Sequence, residues 1–232
     1  MRNRMFPPMF CGHPQHGTAR CRRMPMSRLS LRSLLLLVAL AHGQTALAAE
    51  GERLYAPCAS CHGVQAEGNQ TLQAPALAGL SADYLSRQLE HFKAGRRGSD
   101  PADNIAAPMR AMAATLKDEQ AVKAVATYLA SMPLPAITPS LSGNINQGSR
   151  LYQAKCGACH GGKAEGNPAM NTPRLRQQHD SYLQRQVVHF RQGARGSDPT
   201  DRYGKQMKMM AASVNDAELL DVLAYISSLD KP

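Results

Sequence analysis

The sequence predicts an all-α protein built as two tandem domains related by internal duplication. Three observations predict it. The chain repeats itself at a nearly constant offset of 98 residues. Apolar residues recur at helical spacing in both copies, and no strand-type alternation runs through either. Each copy also carries the pentapeptide pattern C-x-x-C-H, as Cys58-Ala59-Ser60-Cys61-His62 and Cys156-Gly157-Ala158-Cys159-His160.

C-x-x-C-H is the attachment signal for c-type haem. Two thiols bond to the haem vinyl groups, and the histidine that follows ligates the iron. Two intervening residues put both sulfurs on one side of a helical turn, which leaves the next imidazole aimed between them. A cysteine pair can also be half a zinc site or a redox dithiol. A dithiol is expected beside a βαβ pattern, and none is visible. A zinc site drawing on all four cysteines leaves the paired histidines unexplained. Two copies of the motif, each inside a longer repeat, point to two covalently bound haem c groups. The scarcity of aromatics, with no Trp in 232 residues, suits a core built around a large flat prosthetic group.

The N-terminus reads as an export leader over residues 1–48. Residues 26–32 are a basic stretch, Leu34 to Ala41 form a short apolar run, and Ala46-Leu47-Ala48 is a cleavage site, with cut near Ala48/Ala49. The apolar run is too short to span a bilayer, which needs about 20 residues. Residues 1–25 read as a long leader or as a start placed upstream of the true one at Met24 or Met26. Cleavage would remove Cys11 and Cys21 and leave only the four motif cysteines. Much of the formal charge of +10 lies in this leader, which has seven arginines and no acid. The remainder is close to neutral, which excludes a nucleic-acid-binding surface as the main feature.

Beyond the leader the copies run over 49–132 and 148–232, joined by a Pro/Ser-rich linker over 133–147. Tyr84-Leu85 through His91-Phe92 matches Tyr182-Leu183 through His189-Phe190, and Arg97 to Pro101 recurs unchanged as Arg195 to Pro199. A short helix over 50–57 runs into the first motif, and residues 63–80 read as loop. Ser81 caps a helix to about Lys93, which carries Tyr84, Leu85, Leu89 and Phe92 at helical spacing and is ended by Gly95. The last helix runs from about Asp118 to Ser131. In the second copy Asn215 and Glu218 form a capping box for it, whereas the first copy shows no good cap.

Iron in electron carriers is usually held by two protein ligands. Met109 and Met207 each lie 47 residues after the motif histidine, in loop-like stretches before the last helix. Met112 and Met210 compete and read as core. His91 and His189 are rival ligands, otherwise helix-surface or haem-flanking. Pro75 and Pro173, each 13 residues after the histidine, can offer a carbonyl to hold its other ring nitrogen.

Each copy resembles a small His/Met cytochrome c domain, and the tandem is similar to the di-haem cytochrome c4 family over the whole mature chain. The resemblance rests on the paired motifs, Pro-x-Leu after each, the Tyr-Leu…Gln…Phe…Gly-x-Arg helix end, and a Met seven residues before Leu116 or Val214. It implies two tandem cytochrome c-type haem domains about a pseudo-twofold axis, with the haems facing one another. It selects Met109 and Met207 as axial ligands opposite His62 and His160, with Cys58, Cys61, Cys156 and Cys159 as attachment points. It also implies export to the periplasm, peripheral association with the inner membrane, and redox protein partners: a respiratory complex or dehydrogenase as donor, an oxidase as acceptor. Two other functions are weighed beside this one, a relay subunit of a dehydrogenase complex and a di-haem peroxidase. Matching Met candidates in both copies argue against the open iron position a peroxidase needs. Arg-Gly-Ser-Asp-Pro departs from the family pattern and reads as an insertion in both copies.

The halves differ in charge. Residues 49–132 carry 8 basic and 9 acidic residues, net −1, and residues 145–232 carry 12 and 8, net +4. Arg202, Lys205 and Lys208 surround Met207 where the first copy has Asn104, Ala107 and Arg110. Cationic surroundings disfavour oxidised haem, so the second haem is expected to have the higher potential, and its face to suit an acidic partner.

Overall fold

The computed structural model describes residues 49–229, so the expected export leader over 1–48 lies outside the described residues. The first copy holds α1 (49–55), α2 (Ala59–His62), α3 (Ala82–Lys93), a 3₁₀ segment Pro101–Ala106, α4 (Pro108–Ala114) and α5 (Glu119–Ser131). The second holds α6 (Ile145–Lys155), α7 (Gly157–His160), α8 (Asp180–Gln192), α9 (Arg202–Ala211) and α10 (Asp216–Ser228). Among the described residues there is no strand, only the isolated bridges Asn69–Ala74 and Asn167–Thr172.

In each copy the first and last helices cross at a glycine. A Cβ built on Gly51 would lie 2.4 Å from the Ala124 carbonyl oxygen, and one on Gly148 would lie 1.8 Å from that of Asp221. The crossing is flanked by Tyr55 against Tyr128 and Tyr152 against Tyr225, with ring centroids 5.9 and 5.4 Å apart. Ala within a helix ordinarily gains about 0.5–1 kcal/mol over Gly. Gly148→Ala is expected to reverse that sign, because overpacking of backbone on backbone costs about 1–3 kcal/mol. The check is a lowered thermal midpoint of the holoprotein.

The Ser81 oxygen accepts from the Tyr84 amide, and Asn215 and Glu218 form a complete capping box, both as expected. The expectation of an uncapped α5 is corrected. Asp118 sits outside the helix in extended backbone, and its Oδ1 accepts from the Ala121 amide at 2.8 Å. Placing Asp118 inside the helix hid its role. The stretches holding Met109 and Met207 are also not loops. Met109 lies in α4, which opens on Pro108, and Met207 lies in α9, capped by Asp201 through the Gly204 amide. Pro at the first helical position and a run of Ala and Met favour helix there. The linker is shorter than its sequence boundary, because Asn144 accepts from the Gln147 amide and starts α6 at Ile145.

Asp180 fastens this linker to the second copy. It is 1% exposed. Its carboxylate accepts from the Ser140 and Leu141 amides at 2.7 Å each, and from the Ser140 hydroxyl at 2.6 Å. Burial pushes its pKa up, but these hydrogen bonds outweigh burial and hold it below the ordinary carboxylate range. Asp180→Ala is expected to cost about 1.5–3 kcal/mol, the range for hydrogen bonds to a charged group. A depressed native pKa contributes stability that is full above the unfolded value of 3.8 and fades as pH falls through the native one. Denaturant titrations of wild type and variant should therefore converge as the pH drops below about 4.

The copies meet through contacts that interchange on swapping residue n for n + 98. Arg97 reaches Gln186 at 3.2 Å while Arg195 reaches Gln88 at 3.1 Å. Arg87 donates to the Asn171 carbonyl while Arg185 donates to that of Gln73. His91 faces Asp201 at 3.7 Å while His189 faces Asp103 at 3.1 Å. Self-complementary pairing of this kind is what a twofold interface requires. Arg-Gly-Ser-Asp-Pro, which reads from sequence as an insertion, contributes to this pairing. Its arginines, 5% and 6% exposed, stack on Phe92 and Phe190 and sit in this interface.

Candidate functional site

The motif cysteines and histidines sit on single helical turns, with the His62 amide donating to the Cys58 carbonyl and the His160 amide to the Cys156 carbonyl. Each turn must stop at once for the chain to fold back under the imidazole. Gly63 and Gly161 do this at φ +80° and +85°, where a Cβ would also strike the Glu67 or Glu165 carboxylate. The carbonyls of these glycines accept from Tyr55 and Tyr152, at 2.6 and 2.7 Å, which ties each turn to the first helix of its copy.

His62 and His160 are 5% and 8% exposed. The Nδ1–H of each donates to a proline carbonyl, Pro75 for His62 and Pro173 for His160, both at 2.9 Å. A carbonyl only accepts, so Nδ1 carries the proton and Nε2 keeps its lone pair. Burial pushes both imidazoles below their ordinary range, against the pull of the carbonyl. They stay neutral at physiological pH, as an iron ligand must. Burial also raises the Cys58 thiol, and raises Cys156 to about 11. Neither is a ready thiolate, which zinc would need. Among the described residues no three His, Cys, Asp or Glu side chains converge on one metal position.

All eight residues singled out from the sequence line one cavity of about 490 Å³ that runs through both copies: Cys58, Cys61, His62 and Met109, with Cys156, Cys159, His160 and Met207. Its walls are mostly apolar, with Leu80, Leu85, Phe92 and Leu129 in the first copy and Leu183, Phe190, Val214 and Leu223 in the second. A large apolar group carrying a metal fits this lining, and Arg97 and Arg195 in the wall between the copies suit carboxylates on that group. Met112 and Met210, read from sequence as core, line the same cavity, and Met210 is 42% exposed. Positions three apart share a helix face, so α4 and α9 present both methionines.

The rival histidines go elsewhere. His91 and His189 are buried, not on the helix surface, and neither lines the cavity. They face aspartates across the interface, and burial holds both below the ordinary imidazole range despite those carboxylates. Sequence reading missed Gln88, Gln186, Asp103 and Asp201 as interface residues. Their presence at the same offset in both copies was the available signal. Of the cations near Met207, Lys208 donates to Ser197 and Lys205 to the Pro199 carbonyl, while Arg202 and Lys205 are exposed.

Comparison with known proteins agrees with this geometry. The family model for cytochrome c matches twice, at residues 48–133 and 145–230. The chain is 34% identical over 213 residues to the thiosulfate dehydrogenase electron acceptor of Stutzerimonas stutzeri, covering 83% of this chain and 92% of that protein. It is 30% identical over 212 residues to cytochrome c4 of Pseudomonas aeruginosa, covering 87% and 97%. Among solved structures, reduced recombinant cytochrome c4 from Pseudomonas stutzeri superposes with a TM-score of 0.57 at 25% identity, over 77% of this chain and 96% of that one. Thiosulfate dehydrogenase (TsdBA) from Marichromatium purpuratum superposes with a TM-score of 0.63 at 25% identity, over 78% of this chain and 40% of that one. The chain belongs to the cytochrome c family, in its di-haem cytochrome c4 group, and is an electron-transfer protein with two covalently bound haem c groups, not an enzyme.

Proposed function

We propose that this protein works in the periplasm as a single-electron carrier, with Cys58 and Cys61 holding one haem and Cys156 and Cys159 the other. His62 and Met109 ligate the first iron, and His160 and Met207 the second. The observation that carries the assignment is the neutral imidazole, locked by a proline carbonyl beside a cysteine pair, found twice in one shared cavity. The haem supplies the one-electron redox change; the residues around it set its ligation, keep water from it and adjust its potential. Both copies offer a complete His/Met set, which suits passing electrons. Electrons enter at the first domain and leave from the second, whose Arg202, Lys205 and Lys208 favour the reduced state. No helix among the described residues is long and apolar enough to cross a membrane.

The partner is an electron donor of the dehydrogenase class, and an oxidase or similar centre receives the electrons. A second form of this reading is a relay docked on one dehydrogenase, which the likeness to a thiosulfate dehydrogenase electron acceptor favours. A spectroscopic redox titration of the mature holoprotein tests the core of the proposal. It should show two one-electron steps and a Met–iron charge-transfer band, with the second haem at higher potential. A high-spin iron would overturn the closed ligand set, and a lower potential for the second haem would overturn the direction of flow. Stable co-purification with a flavin or quinone protein would identify the docked form.

A further inference from the structure

Among the interface contacts that the pseudo-twofold does not repeat, one touches the peptide that holds His62. Gln178, 7% exposed, reaches out of the second domain to the Pro75–Ala76 peptide of the first. Its Oε1 accepts from the Ala76 amide at 2.9 Å and from the His179 amide at 3.0 Å, and its Nε2 donates to the Ala76 carbonyl at 2.8 Å. This pattern assigns the amide orientation, since the carbonyls can only accept and the amides only donate. His179 adds a bond from Nε2 to the Glu67 carbonyl at 3.1 Å. In the first copy the positions matching Gln178 and His179 are Leu80 and Ser81. A leucine cannot make these bonds, so the pseudo-twofold gives Gln178 no mate in the first domain.

The Ala76 amide and the Pro75 carbonyl belong to one peptide group. That carbonyl accepts the Nδ1–H of His62 at 2.9 Å. A hydrogen bond accepted from the N–H end of a peptide polarises it and makes its oxygen a stronger acceptor. A stronger acceptor at Nδ1 makes the imidazole more basic and a better ligand for oxidised iron.

We propose that Gln178 is a positioning residue of the second domain that tunes the haem of the first: through Ala76, Pro75 and His62 it lowers the first haem's potential relative to the second. The inference rests on His62 as iron ligand and deepens the proposed direction of flow. It makes the first haem's potential depend on domain docking, because the glutamine withdraws if the domains separate. The inequality between two chemically alike sites then has a structural source besides surface charge.

The test uses the intact di-haem protein. Gln178→Leu copies the residue of the first domain, and Gln178→Glu keeps an acceptor oxygen in place. Gln178→Leu should raise the potential of the first haem and leave the second unmoved. The expected size is up to roughly tenfold in the reduced-to-oxidised ratio at fixed applied potential, which is 59 mV for a one-electron couple. Gln178→Glu should leave the first potential at or below wild type. In the reduced protein, proton NMR of the His62 Nδ1–H should move toward the weaker-hydrogen-bond position in Gln178→Leu, with the His160 signal as internal control. An unshifted first potential, or equal shifts of both haems, overturns the proposal. If Gln178→Leu does not fold, a first-haem potential raised as far in Gln178→Glu overturns it, and one at or below wild type supports it. Failure of the underlying reading looks different. If His62 is not a ligand, its Nδ1–H lacks the haem ring-current shift in the wild-type protein itself.

Discussion

Replacing Cys156 and Cys159 together by Ser is expected to leave one covalent haem per chain and to unfold most of the second domain. The mirror change, Cys58→Ser with Cys61→Ser, should remove one haem with a smaller loss of structure. The difference comes from how each core is built. In the first domain one continuous cluster joins Tyr55, Leu80, Leu85, Leu116, Val122, Val125 and Leu129. In the second, Tyr152, Val222 and Ile226 form one cluster, and Val214, Leu219 and Leu223 form another. Partly buried Leu183 packs against both, and a bound haem would supply the rest of the contact between them. Domains of this size hold about 5–15 kcal/mol in total, so losing the group that bridges a divided core removes a large share. Mass spectrometry counts the haems. Hydrogen exchange of α10 amides reports the unfolding, and equal exchange in both double variants would refute the argument from core continuity.

The second large effect concerns the methionines. Met207→Ala should remove about half of the Met–iron charge-transfer absorbance, lower the potential of the second haem and open a position on its iron. Met210→Ala should leave the band intact, although both side chains line the cavity from the same face of α9. The paired experiment on Met109 and Met112 should give the same result for the first haem. If the Met210 variant loses the band and the Met207 variant keeps it, the ligand assignment moves by one helical turn in that domain. The spacing of 47 residues would then be a coincidence of the duplication. Peroxide turnover gained by the Met207 variant would show that the closed ligand set is what keeps the wild-type protein to electron transfer.

Much of the site is legible in the sequence. The cysteines, the histidine and the proline carbonyl that holds it lie within 18 residues of chain in each copy (58–75 and 156–173). Local geometry dictates contacts over such distances: a helical turn, a left-handed glycine, a loop closed on a proline. Ser81, Asn215 and Glu218 were readable for the same reason, because a cap acts within three or four residues. Where reading failed, the residue's partner lay far away. His91 reads from sequence as a helix-surface or haem-flanking residue because nothing nearby accounts for an imidazole buried between the copies, and its aspartate lies 110 residues on. Arg-Gly-Ser-Asp-Pro gives no local sign of its interface role, because its glutamine partners stand on another helix or in another domain.

The chemistry of each half follows from the order of residues alone: all-α, duplicated, with one covalent haem and candidate axial ligands in each copy. Those features follow from spacing along a helix or a short loop, and spacing is written in the chain. How the halves address one another is set in three dimensions. Burial of Arg97 and Arg195, the exchanged His–Asp pairs and the one-sided reach of Gln178 to the Pro75–Ala76 peptide all arise from docking surfaces at which residues about 90 to 110 positions apart meet. Burial there strengthens a hydrogen bond and penalises a lone charge, and no local pattern records which distant partner will be present.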